Sequence, residues 1–126
     1  MNRLTVLYKV KKRKEAMGLT LDNIAKLSGL GNRTVTRFFA GEDVKLSTLE
    51  NITRIMGLDF AGNELIDVDT LKESRAKEKA IYIVSLVQDT SSLEMQGLES
   101  GAIQQLIHDT KEQFLTGEYR KNLWAS

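Results

Sequence analysis

Apolar residues recur at helical spacing along nearly the whole chain, in segments separated by glycine-centred breaks; proline is absent. Residues 3 to 17 predict a first helix with Leu4, Leu7, Tyr8 and Val10 toward a core, then Ala16 and Met17, stopped by Gly18. Thr20 is placed to cap a second helix whose apolar set is Leu21, Ile24, Ala25 and Leu27, with Asp22 in its first turn. Gly29 ends it in a left-handed conformation and Leu30 forms an apolar plug under the turn. A third helix, Asn32 to Ala40, turns Val35, Phe38 and Phe39 inward and ends at Gly41, leaving Asn32, Arg33, Thr36 and Arg37 outside. Ser47 to Glu50 reads as a capping box opening a fourth helix with Leu49, Ile52, Ile55 and Met56 buried and Gly57 at its end. Residues 59 to 69 lack helical periodicity and read as a connector on which Leu65, Ile66 and Val68 pack.

The second half repeats the logic with less certain partners for its apolar residues. Thr70 to Glu73 forms another capping box, followed by a helix to about Gln88 supported by a Glu73–Lys77 pair. Its lead-in KESRAKEKA favours helix over the strand that its β-branched residues would allow. From Ile81 to Val87 it is apolar on every side, which predicts burial from two directions or more. A polar break from Asp89 to Glu99 precedes a last helix, about Ser100 to Leu115, with Ile103, Leu106, Ile107 and Phe114 on one face. Gly117 follows that helix, and Trp124 in the tail is expected to dock on its own or a partner subunit. The pattern predicts an all-α chain with a domain over 1 to 66 and a helical extension over 67 to 126.

The stretch LTLDNIAKLSGLGNRTVTRFFAG, residues 19 to 41, carries a specific likeness. With Ile24, Leu30, Val35 and Phe38 at its buried positions, Ala25 at the helix crossing and Gly29 at the turn, it resembles the helix-turn-helix of the phage-repressor/Cro family, also called the xenobiotic-response-element family. The resemblance extends over about residues 4 to 58 and implies a four-helix lambda-repressor-like domain whose third helix enters the DNA major groove. It would then put Asn32, Arg33, Thr36 and Arg37 on base edges and Lys11, Lys12, Thr20 and Thr34 at phosphates. Two features depart from the pattern: Leu21 stands where many members carry a polar residue, and Glu42 and Asp43 follow the recognition helix, where a phosphate would repel them.

Charge sharpens the division. The 126 residues carry a net +1, but residues 1 to 57 hold 11 Lys and Arg against 5 Asp and Glu, while residues 58 to 126 hold 7 against 12. A basic half of +6 and an acidic half of −5 direct nucleic acid to the first. The second half is either a solvated acidic surface or an interface; as an interface it would use Ile81, Ile83, Val84, Val87, Ile107 and Trp124. Lys9 to Lys14, KVKKRK, admits three readings: phosphate contacts, a nuclear-localisation signal or a solvated face.

Other chemistry is sparse. With no cysteine and one histidine, His108, disulfides and thiolate chemistry are excluded, and a protein-built metal site and cofactor are not expected. His108 reads as solvated surface, and the glycosylation triplets at Asn32 and Asn51 as chance matches inside helices. The apolar runs are too short for a membrane span, no signal peptide is visible, and a cytoplasmic protein, bacterial or phage-encoded, is expected. No enzyme is expected. The expected function is a sequence-specific DNA-binding transcriptional regulator, a repressor acting as a homodimer on a near-palindromic operator in double-stranded DNA. Two alternatives remain open: an antitoxin that neutralises a toxin partner through its acidic half and represses its own operon, and a coactivator that barely touches DNA.

Overall fold

The computed structural model describes residues 2–90 and 100–125. Among them the chain is all-α: α1 (Arg3–Met17), α2 (Leu21–Ser28), α3 (Asn32–Phe39), α4 (Leu46–Ile55), α5 (Val68–Thr90) and α6 (Ser100–Leu115), with a 3-10 turn at Arg120–Asn122. The chain forms two compact units, Met1–Leu71 and Lys72–Ala125. None of the described helices is long and apolar enough to cross a membrane.

In the first unit, α1 to α4 enclose Val6, Leu7, Val10, Met17, Leu19, Ile24, Ala25, Val35, Phe38, Ile52 and Met56, all buried. Helix α1 differs from its expected orientation: Leu4 and Tyr8 are 61% and 58% exposed, Ala16 is exposed, and Val6 and Arg13 take the inward places. Positions 6, 10, 13 and 17 follow the three- and four-residue step of one helical face, which the apolar residues at 4 and 8 do not share. Phe39 is half-buried, in edge-to-face contact with the buried Phe38 at 5.0 Å between ring centres.

The helix starts in this region differ from two sequence expectations. Helix α4 opens after Lys45 without a side-chain cap, so Ser47 lies inside its first turn and forms no capping box. Helix α5 opens two residues before Thr70, because the Asp67 carboxylate accepts from the Thr70 N–H at 2.6 Å and is the cap. Hydrogen bonding from the Thr70 side chain and backbone holds the Asp67 pKa below its usual value.

The connector is fixed through its backbone rather than its apolar side chains. Leu65 and Ile66, expected to pack, are 69% and 44% exposed. Their N–H groups instead both donate to Gly57 O, at 2.8 and 3.0 Å, and Leu58 and Glu64 form an isolated antiparallel bridge. Arg13 closes the arrangement by donating to Met56 O at 2.8 Å and to Ile66 O, with Glu64 at 3.4 Å. Gly57 (φ +70°) is confined as well as left-handed: a Cβ there would lie 2.9 Å from Leu71 Cδ1 and 3.1 Å from Ile66 O.

The second unit is built on small residues. Ala76, Ala80 and Val84 form the buried line of α5 at four-residue steps, with Phe114, Leu123 and Trp124 also buried. Arg75 donates to Leu123 O at 3.0 Å and Ala125 O at 2.8 Å, which fastens the final turn. Glu73 pairs with Lys111 of α6 at 2.5 Å, where the sequence pattern had placed Lys77. The expected all-round burial of α5 is not met within one chain: Ile81 is 41% and Tyr82 65% exposed, and Leu86 and Val87 are also exposed. The helix continues through Asp89 to Thr90, so the expected break cannot begin at Asp89; the rest of it, 91 to 99, lies outside the described residues.

Candidate nucleic-acid interface

The local sequence explains why α3 presents a polar face. Thr20 accepts from the Asn23 N–H at 3.0 Å while Asn23 Oδ1 accepts from the Thr20 N–H at 3.0 Å, a reciprocal cap that fixes the start of α2. Asp22 and Lys26, four residues apart, support it at 3.1 Å. Gly29 (φ +72°) ends α2, and three residues later, at Asn32, α3 begins. Ile24 and Ala25 of α2 are buried, as are Val35 and Phe38 of α3, so the opposite side of α3 must face outward. Asn32, Arg33, Thr36 and Arg37 are all exposed there, in two rows of four-residue spacing; Thr34 is half-buried at the flank.

The end of α3 is tied by a glycine motif. Gly41 (φ +91°) donates to Phe38 O at 3.1 Å and Glu42 N–H donates to Arg37 O at 3.1 Å. This places Glu42 beside Arg37, with Oε2 3.8 Å from Nε. Asp43 in the same turn lies 3.9 Å from Arg3. Both pairs are exposed, and the sequence pattern showed these acids only as repelling phosphate.

The run Lys9 to Lys14 is divided among different tasks. Lys11 and Lys14 border a shallow depression with Leu21 and Phe39, on the side of α1 that meets α2 and α3. Lys12 borders a different one, with Lys9, Gly62 and Glu64, and its ammonium stands 4.9 Å from the Tyr8 ring centre. Tyr8, through a side-chain hydrogen bond, raises the Lys12 pKa above its usual value. Lys9 donates to Asn63 Oδ1 at 2.8 Å, and Arg13 is buried. The structure therefore brings Lys11 near the α2–α3 side and sets Lys12 apart from it.

Thr20 is exposed, and although its oxygen serves as the helix cap, its hydroxyl proton remains available to a phosphate. Among the interface residues expected in the second half, Ile81 and Val87 are exposed, Ile83 and Ile107 half-buried, and Val84 and Trp124 buried. His108 is exposed. Among the described residues no group of His, Asp and Glu could hold a metal ion. The sequence reading missed Asn23 as the reciprocal cap partner, although a Thr followed three residues later by an amide is its signature. No family model, no curated protein and no solved structure matches the chain.

Proposed function

We propose that the chain is a sequence-specific, double-stranded-DNA-binding transcriptional regulator of the helix-turn-helix type, a repressor that occludes a near-palindromic operator as a homodimer. The observation that carries this reading is the outer face of α3, where four hydrogen-bonding side chains, Asn32, Arg33, Thr36 and Arg37, are exposed on a helix clamped from behind by Val35 and Phe38. A guanidinium donates two parallel hydrogen bonds to guanine O6 and N7, and an amide does the same for adenine, so these residue types suit base edges. One such helix reads too few base pairs to discriminate well, and a second copy adds its binding energy at a fixed spacing of about one helical turn.

A second reading keeps the DNA-binding domain and gives the second unit a protein partner, as an antitoxin would have. It draws on the exposed Ile81 and Tyr82 within a half of net −5 charge. The test for the first reading is selection of bound duplexes from a random pool by the purified full chain. Enrichment of a site with two inverted halves supports it; a pool that stays random after successive rounds overturns it and leaves only a protein-binding role for the second unit.

A further inference from the structure

The four helices of the first unit all end at a glycine with the following residue closing the turn, and at α1, α2 and α4 that residue is Leu19, Leu30 or Leu58. Leu19 and Leu58 are 4% and 5% exposed, the apolar plug such a turn ordinarily carries beneath the last helical residues. The end of α3 has the same backbone closure, Gly41 N–H to Phe38 O and Glu42 N–H to Arg37 O, but a glutamate in place of leucine. In this motif the side chain after the glycine lies against the third residue from the helix end, which here is Arg37. Here both side chains at that place are charged and form an ion pair, Glu42 Oε2 to Arg37 Nε at 3.8 Å.

The atom involved matters. Glu42 stands on the Nε side of Arg37 at an ionic distance, longer than a hydrogen bond, and among the described residues no side chain is hydrogen-bonded to Nη1 or Nη2, the fork that the guanidinium presents. Arg37 is one of the most flexible side-chain types, and an unanchored guanidinium can reach a phosphate as readily as a base. We propose that Glu42 is a positioning residue for base reading: its charge draws the Nε side of Arg37 toward the turn, leaves the Nη fork for a base edge, and disfavours phosphate contacts. This rests on the assignment of α3 as the DNA-reading helix. The exposed acid after α3 is then a specificity device, not a defect of the interface.

The test uses the full chain, its selected duplex, that duplex altered at the base pair which Arg37→Ala ceases to distinguish, and a scrambled duplex of equal length. In E42A, discrimination at that base pair should fall about three- to ten-fold, while binding to the scrambled duplex tightens about two- to five-fold. E42Q, which keeps the size of the side chain without its charge, should gain on the scrambled duplex and lose discrimination as E42A does, because the contact at 3.8 Å is ionic. In an R37A background, E42A should change discrimination no further, because its effect passes through Arg37. Undiminished discrimination in E42A, full discrimination in E42Q, or a full effect of E42A without Arg37 would each overturn the proposal. A wild-type chain with no preferred duplex removes the DNA-reading assignment as well. A wild-type chain with a preferred site and an unaltered E42A removes only the role of Glu42.

Discussion

The guanidinium of Arg13 is 7% exposed and is matched by Met56 O, Ile66 O and the Glu64 carboxylate, so it joins α1 to the end of α4 and to the connector. Removing it leaves two carbonyls without their donor inside a packed region. Arg13→Ala is expected to cost about 2 to 4 kcal/mol in urea unfolding, whereas Lys12→Ala, at the adjacent and exposed position of α1, should leave the midpoint where it was. Equal midpoints for the two variants would mean that the clamp contributes nothing. Arg33 and Arg37 answer to a different measurement because both are exposed. Replacing either by alanine should cost about 1 to 3 kcal/mol at the selected duplex and relax the choice of base at one position per half-site. Lys11→Ala should weaken all duplexes alike and reduce the salt dependence of binding by about one unit of slope. An arginine variant that weakens every duplex equally would assign that arginine to phosphate.

Helix ends were legible in the sequence where glycine marked them and less so where a polar side chain did. Gly18, Gly29, Gly41 and Gly57 all have positive φ, between +70° and +91°, and each stands at the helix end its position implied. The starts were harder because Ser, Thr and Asp cluster near them and each is a competent cap. Ser47 and Thr70 fit the capping-box spacing, but α4 begins without a side-chain cap and α5 is capped by Asp67. A triplet of residue types cannot say which of two neighbouring acceptors the chain geometry brings over the free N–H groups. The inward face of α1 was misjudged for a related reason: an arginine at position 13 ranks as surface until the carbonyls that satisfy it are known. The Asp67 cap has a direct test at this scale. Its pKa is lowered chiefly by the Thr70 hydrogen bonds, so the cap's contribution is complete above the carboxyl's ordinary pKa and disappears as pH falls through the lowered value. The Thr70 amide resonance should titrate with a midpoint below that of a free aspartate, and Asp67→Ala should abolish the titration. A midpoint at the free value would show that the cap does not form in solution.

At the scale of the whole molecule, the second unit leaves a question that its own core does not answer. Ala76, Ala80 and Val84 face inward, yet Ile81 and Tyr82 stay 41% and 65% exposed on the same helix. Covering a half-exposed side chain of this size yields about 1 kcal/mol, half or less of the roughly 1.5 to 3 kcal/mol for full burial. A two-fold axis counts each residue twice, and Ile83 and Ile107 are half-buried and able to add to the same interface. The total from these groups, on the order of 8 kcal/mol, falls within the roughly 4 to 15 kcal/mol that association costs, so a dimer requires well-fitted contacts and not area alone. The expected outcome is a dimer of the full chain by sedimentation at micromolar concentration without DNA. Val84 and Trp124 cannot probe it, because both are buried in one chain and their substitution would damage the fold first. Ile81→Lys combined with Tyr82→Lys can: the pair should give a monomer with an unchanged helical circular-dichroism signal and a much weaker grip on a two-halved site, while binding to a single half-site is preserved. A wild-type monomer at that concentration, or a doubly substituted chain that remains dimeric, would remove these residues from the interface and shift the exposed face of α5 to a different protein as its partner.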